Sequence, residues 1–538
     1  MTFADDEPIA ESETETRAES GIEAIAQGRI LAKIPPWHKD DAPLNKCTFK
    51  VLLEVAGAGT NKLGLDLVIV LDISGSMGGE KLEKMKKAVQ FVIKKLSPVD
   101  DRLSIVTFNG GSERKCALRR ITEQSQKEIE DLVNRLAAGG STNIAAGLKT
   151  GLQVLNDRRQ KGERAEAIML MSDGQANSGC DGTDVPIGKV SVFTFGFGKD
   201  HDSKALSTIA RNSTTGTFAD VGKLDDMTIA FSQCLAGLLS VAVKDLELII
   251  TKLDSDEIKI LSPLGYPQSE DKTKGSITIS FGDLYIKEVR KILVEVQLSD
   301  AVEGENTDVL TYAYPYSING TKSKSQPRRV NIPRIEKSEE TPECVEVMIE
   351  EKRIQAANMM TEAIALADEG KLEDARKKLN EAINLLGDEA EHQPIETLIS
   401  ELQLLMGKMK TIEEYKKEGR PFALSSESSH NRQRFASKAD AEKLRSFTTP
   451  LMDIFLEQAM SFDKDPEMPL PKGAEDLKQE LAENPQKTQA EEDKNEYKKP
   501  KEPAAPNPFA SVTEALKFCI QYALQFLQAI GNIVKRGR

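Results

Sequence analysis

Apolar positions along the chain change period several times. From Leu65 to about Ser240, short apolar runs alternate with stretches in which apolar residues recur every three or four positions, as in Leu82, Met85, Val89, Val92, Ile93 and Leu96. The runs predict strands at 65–71, 102–108, 167–172, 190–195 and 216–220, and the periodic stretches predict helices at 81–96, 122–136, 144–155, 204–211 and 223–240. Strands separated by helices pair in parallel through crossovers, so this part is predicted to be a doubly wound, Rossmann-like α/β sheet.

Beyond Val241 strict alternation takes over: Leu246, Leu248 and Ile250; Ile277, Ile279 and Phe281; Ile292, Val294, Val296 and Leu298. With turn signals at Ser262-Pro263 and Asn319-Gly320, residues 241–333 are predicted to form an antiparallel β-sandwich. The helical period returns at 334–410, where Ile354, Ala357, Met360, Ile364 and Ala367 precede the break at Glu369-Gly370 and Ala375, Leu379 and Ile383 follow it, as in a helical hairpin. Two stretches lack a core pattern: an acidic, mostly disordered tail at 1–46, and a charged, Pro-marked and largely disordered linker at 411–508 carrying one short helix at 439–460; after the tail, Phe49, Leu52 and Val55 alternate with polar residues, as in a lead-in strand at 47–64. The last segment, 509–538, reads as an amphipathic helix, with Leu516, Ile520, Leu524, Leu527 and Ile530 on one face and a basic tip at Lys535-Arg536. Such a helix suits a membrane surface, a protein partner or the chain's own domains.

At 538 residues the chain is long enough for several domains, and a formal net charge of -14 without a long basic tract argues against a nucleic-acid partner. The six cysteines contain no C-x-x-C pair, so neither a zinc knuckle nor a disulfide framework is expected. The acidic start is unlike a secretory signal, and no run of about 20 apolar residues offers a membrane span. A cytoplasmic address, peripheral to a membrane if the last helix binds one, is the expectation.

The candidate chemistry lies where apolar strands end. Asp72-Ile73-Ser74-Gly75-Ser76 closes the first run, Thr142 stands in Gly139-Gly140-Ser141-Thr142-Asn143, and Asp173 closes 167–172. In a doubly wound sheet the loops at the carboxyl ends of the strands converge on one edge, which brings Asp72, Ser74, Ser76, Thr142 and Asp173 within reach of one another. Two carboxylates and three hydroxyls form a hard oxygen set suited to Mg²⁺, or to Mn²⁺ or Ca²⁺, and unsuited to a soft metal. The four histidines lie outside these loops; Ser76 lacks the first glycine of G-x-S-x-G, and no phosphate-binding glycine loop opens a helix after a strand. No catalytic residue is identified, and the chain is expected not to be an enzyme.

The pattern D-x-S-x-S with a distant Thr and Asp resembles the metal-ion-dependent adhesion site of von Willebrand factor A domains, over roughly 65–240. The resemblance implies that Asp72, Ser74, Ser76, Thr142 and Asp173 bind a metal, directly or through water. The segment Val192-Phe-Thr-Phe-Gly-Phe-Gly198 and the following sandwich and helices are similar to the cytosolic plant branch, to inter-alpha-trypsin inhibitor heavy chains and to plant wavy-growth type proteins. Several plant relatives of that type are ubiquitin ligases with an amino-terminal RING finger; no closely spaced Cys/His set precedes Leu65, so ligase activity is not expected to carry over. The expected role is a metal-dependent adaptor or scaffold that binds an acidic side chain of a protein partner. The alternatives are a RING-less regulator of ubiquitin ligases, acting in hetero-oligomers with related proteins, and a peripheral membrane factor.

Overall fold

The computed structural model describes residues 30–483, except 34–35, 61, 162–163, 254, 262–264, 319–320, 339–341 and 440–443. The amphipathic helix expected at 509–538 and most of the acidic tail lie outside the described residues.

Five parallel strands form the centre of the α/β part, in the order Phe218–Val221, Ser191–Phe197, Arg164–Ser172, Gly64–Asp72, Asp101–Phe108, with the short strand Ser112–Arg114 antiparallel at one edge. Alternation explains the near-continuous apolar run of the Gly64–Asp72 strand. Leu65, Leu67, Ile69 and Leu71 face helices Glu80–Lys95, Glu123–Asn134 and Met227–Leu238, while Val68 and Val70 face helices Ile144–Asp157 and Ser203–Asn212. A strand buried on both faces needs no polar positions. Helix starts are set by side-chain caps: the side chains of Thr122, Asn143 and Asp202 accept from the backbone N–H three residues on. Glu80 and Glu83 in the first turn of the Glu80–Lys95 helix, with Lys94 and Lys95 in the last, complement its dipole.

The strand Cys47–Gly57 differs from the lead-in strand expected at 47–64. It pairs antiparallel with Val289–Leu298 along its whole length and with Ile30–Ala32 on its other side. This sheet faces a second one, whose strands run in the order Gln268–Asp271, Ser276–Tyr285, Val241–Lys252, Asn306–Ala313, Arg328–Ile335. Phe49, Val51, Leu53 and Val55 from the first sheet meet Leu246, Leu248, Ile250 and Phe281 from the second in one core. The α/β part is therefore inserted between strands of a single sandwich. Alternation within 47–57 fits a strand with one buried face, but its partner is more than 200 residues away and local pattern carries no trace of it.

The helices Val345–Asp368 and Leu372–Leu386 form a hairpin whose turn places Gly370 at φ 83, and Gln393–Gly407 and Arg420–Arg432 pack beside it. They share a core with the Ile144–Asp157 and Ser203–Asn212 face of the α/β sheet, and Val347 and Ile354 also meet Leu52 and Leu293 of the sandwich.

The 411–508 stretch, expected to be a largely disordered linker, is corrected as far as Glu483. Helix Pro450–Lys464, displaced from the 439–460 expected, starts with Pro450 in its first turn and buries Phe455 and Phe462 edge-on against Phe91 of the Glu80–Lys95 helix. Each such ring contributes about 1.5–3 kcal/mol of burial. Helix Gly473–Glu483 follows, with Asp476 paired to the buried Lys95. Average composition hid the extent of this order beyond the one expected helix, because a few apolar residues per turn suffice to dock a short helix on a neighbour.

Residues 432–437, which leave the Arg420–Arg432 helix through a left-handed turn at Gln433 (φ 45), cross the seam between the α/β part and the sandwich as a clasp. Arg434 pairs bidentately with Glu288, Nε to Oε1 and Nη2 to Oε2 both at 2.7 Å, and donates to the carbonyls of Thr215 (2.9 Å) and Asp283 (2.8 Å). Its guanidinium lies 3.8 Å from the centre of the Tyr285 ring. Arg432 donates to the carbonyls of Arg211 and Ser213, the Gln433 side chain closes on both backbone groups of Lys291, and Asp220 N–H donates to Ser437 O.

Among the described residues no helix is long and apolar enough to cross a membrane, and Cys47, Cys116, Cys180, Cys234 and Cys344 are free thiols.

Candidate metal centre

The central strand delivers Asp72 to the carboxyl edge of the sheet, opposite Phe108. The backbone then turns: Ser74 N–H donates to Asp72 Oδ1 at 2.8 Å, the local closure that an aspartate two residues before a turn favours. Ser74 precedes the single 3₁₀ turn Gly75–Met77, which exposes Ser76 and buries Met77. Asp72, Ser74, Thr142 and Asp173 are each at most 2% exposed.

Two other loops are fastened to this turn. Gly75 N–H donates to Gly140 O (3.0 Å) and Gly139 N–H to Ile73 O (2.8 Å), so the loop carrying Thr142 lies directly against the Asp72 turn. Gly140 has φ 86, and a Cβ there would stand 3.1 Å from Asn109 Nδ2, so both backbone and space select glycine. Asn109 in turn donates from Nδ2 to Gly139 O at 3.0 Å. On the other side, Thr142 N–H donates to Asn177 Oδ1 (2.8 Å), while Asn177 and Ser178 N–H both donate to Thr142 O (3.1 Å). The loop after Asp173 thereby holds the loop of Thr142.

Within this frame Ser76 Oγ donates to Asp173 Oδ1 at 2.7 Å, Ser74 Oγ and Ser76 Oγ stand 3.1 Å apart, and Ser172 Oγ donates to Asp72 Oδ2 at 2.7 Å. The remaining oxygen of Asp173, Oδ2, accepts from Lys81 Nζ. Burial pushes the Asp72 carboxyl up from its ordinary range; hydrogen bonds from Ser74 and Ser172 oppose the shift and the nearby Asp173 charge adds to it. A cation at this edge would relieve that cost. Adjacent oxygens of an octahedron with metal–oxygen distances of about 2.1 Å lie about 3.0 Å apart, and the two serine hydroxyls at 3.1 Å meet that spacing. The all-oxygen donor set therefore fits a hard divalent cation.

Pattern reading missed the groups that build the frame: Lys81, Asn109, Ser172 and Asn177. Lys81 reads as the first residue of an amphipathic helix, although its place five residues after Ser76 was a usable signal. The asparagines act through backbone groups of other loops, which sequence spacing does not display. His201, the histidine nearest the site in sequence, is buried against Gly196, with Nδ1 on Gly198 O at 2.7 Å and burial holding its pKa down.

Residues 66–232 match the von Willebrand factor type A domain family, and residues 392–461 match a family described as VWA / Hh protein intein-like. The E3 ubiquitin-protein ligase WAV3 of Arabidopsis thaliana is 32% identical over 241 residues, covering 44% of this chain and 31% of WAV3. The inter-alpha-trypsin inhibitor heavy chain H3 of Homo sapiens is 31% identical over 159 residues, covering 27% of this chain and 18% of H3. The chain thus spans about a third of WAV3 and less of H3. Among solved structures, a von Willebrand factor type A protein from Catenulispora acidiphila superposes with a TM-score of 0.58 at 17% identity, over 69% of this chain and 89% of that one. That likeness is one of fold. The expectation that the chain is not an enzyme is overturned by its relatives, since the E3 ubiquitin-protein ligase name, an enzyme's name, recurs among them. The expectation rested on missing nucleophile and phosphate-loop patterns, and such an absence does not exclude activity. Taken with the parallel sheet and its carboxyl-edge loops, these matches identify residues 66–232 as a von Willebrand factor type A domain, and part of the chain as homologous to the WAV3-type ligases and to the inter-alpha-trypsin inhibitor heavy chains.

Proposed function

We propose that residues 65–240 form a metal-dependent protein-interaction module in which Asp72, Ser74, Ser76, Thr142 and Asp173 hold a divalent cation, Mg²⁺ first and Mn²⁺ or Ca²⁺ as substitutes. When bound, the cation supplies a positive centre at the loop edge that can share an acidic side chain of a protein partner. The observation that carries this reading is the run of oxygens from Ser74 Oγ to Ser76 Oγ (3.1 Å) to Asp173 Oδ1 (2.7 Å), with Ser76 exposed at its rim. The three hydroxyls add no charge, so the cation keeps electrophilic character toward a carboxylate. No nucleic-acid partner is proposed for so acidic a chain.

Calorimetric titration of Mg²⁺ into the full chain should give saturable binding that Asp72→Ala abolishes. Partners captured in Mg²⁺ should be lost both in EDTA and with Asp173→Ala; identical partners in every condition would remove the metal from the interaction.

WAV3's name favours a second reading, in which the chain acts in ubiquitin ligation by associating with related ligases. Adding the chain to a ubiquitylation reaction containing a WAV3-type ligase should change its rate or product pattern, and an unchanged reaction would count against this role.

A further inference from the structure

Lys81 is the one cation bonded to the candidate metal ligands among the described contacts. It stands in the first turn of the Glu80–Lys95 helix, one position off the buried stripe of Leu82, Met85 and Val89, and its Nζ reaches Asp173 Oδ2. The pair is asymmetric: the Asp173 side chain is fully buried and that of Lys81 is 29% exposed, so the lysine covers the carboxylate from the solvent side. The lysine passes close to Gly198, a residue at φ 75 whose added Cβ would stand 3.7 Å from both Cε and Nζ of Lys81. Ser76 already occupies the other oxygen of Asp173. Both oxygens of this carboxylate are therefore engaged without a metal, and its charge is neutralised by a group on a tether of four methylenes.

We infer that Lys81 is a resident counter-ion of the site: it holds Asp173 in place when no metal is bound and competes with the divalent cation for that carboxylate. The inference rests on the divalent-cation reading of these residues. With Lys81 paired, the two carboxylates and one ammonium leave the site one negative charge; without it they leave two. A divalent cation then meets a less attractive site and a like charge a few ångströms away, both of which weaken its binding. When the metal takes Asp173, the ammonium is released toward the rim, where an incoming carboxylate is its natural partner. The lysine thus sets a threshold for metal loading and gives an acidic ligand a second contact.

The test is calorimetric titration of MgCl₂ into the full chain and into Lys81→Met, Lys81→Gln and Lys81→Arg, with melting temperatures measured in EDTA and in Mg²⁺. Loss of the ammonium should tighten Mg²⁺ binding by roughly tenfold or more, as expected for removing a close like charge, while lowering the melting temperature in EDTA. Lys81→Arg should stay near the wild-type affinity. A purely structural lysine would lower stability without tightening the metal. Equal or weaker Mg²⁺ binding by Lys81→Met and Lys81→Gln, with wild type still binding, overturns the competition and leaves the metal site standing. Absence of Mg²⁺ binding in every protein, wild type included, overturns both.

Discussion

The loop edge around Asp72 and the clasp around Arg434 are both polar, yet they treat charge in opposite ways. At the clasp every charge is sealed in: Arg434 and Glu288 are each nearly inaccessible, and the arginine fork is matched by a carboxylate and two carbonyls. At the loop edge there are two buried carboxylates and one tethered lysine, which is paired with Asp173, and an exposed serine hydroxyl forms the rim. Charge balanced by a fixed partner makes a joint, whereas two carboxylates against a single ammonium leave a surplus of negative charge that makes a place for a cation to bind. The clasp should therefore register in stability and the loop edge in ligand response.

The largest consequence is expected at the joint. Arg434→Ala leaves Glu288 buried with Arg290 and the Tyr285 N–H as its partners among the described residues, and breaking a buried pair in this way costs on the order of 3–5 kcal/mol. Urea unfolding should show the loss, and unfolding of the α/β part and the sandwich should separate into two transitions. A single transition at unchanged midpoint would remove the clasp from the account.

An intermediate effect is expected at Asp283, which lies at the same seam. Burial raises its carboxyl from 3.8 to about 6; Lys244 and Arg434 oppose the shift, and Asp245 and Glu166 add to it. The sign follows from proton binding. Below about pH 4 both the folded and the unfolded chain hold the proton, and between about 4 and 6 only the folded chain does. Stability from this group therefore falls as pH rises through that window and stays low above it. Asp283→Asn should stabilise the protein at pH 7 by about 1–3 kcal/mol and leave it unchanged at pH 4. Equal stability at both pH values would show that the seam is wetter than its burial indicates.

The smallest stability effect belongs to the rim. Ser76→Ala removes the donor to Asp173 Oδ1 and should cost about 0.5–1.5 kcal/mol in EDTA, while reducing the rise in melting temperature produced by Mg²⁺. A large loss in EDTA would make Ser76 part of the joint's chemistry.

The same division governs what could be read from the chain. The parallel strands were legible because a strand buried on both faces, such as Leu67 to Leu71, is almost wholly apolar. Asp72, Ser74, Ser76 and Asp173 were legible as a group because each sits just beyond such a strand, where topology alone gathers them. Arg432 and Arg434 read as solvated charges in a polar stretch, since nothing local reveals carbonyls from residues 211–215 and 283 waiting for them. Phe455 fell within the short helix expected at 439–460, but Phe462 lay beyond it, and nothing local names their acceptor, Phe91 several hundred residues earlier. Lys81 was hidden by a stronger signal, the helix that it begins.

The insertion of the α/β part between sandwich strands also dictates an order of events at synthesis. Strand Cys47–Gly57 emerges early, but its neighbour Val289–Leu298 emerges about 230 residues later, a delay of ten seconds or more at roughly 5–20 residues per second. During that interval the inserted sheet can close on itself, since its strands are local to one another, while the waiting strand presents an open edge to the translating cell. Lys50 and Glu54 on that strand are then early protection against pairing with the wrong chain.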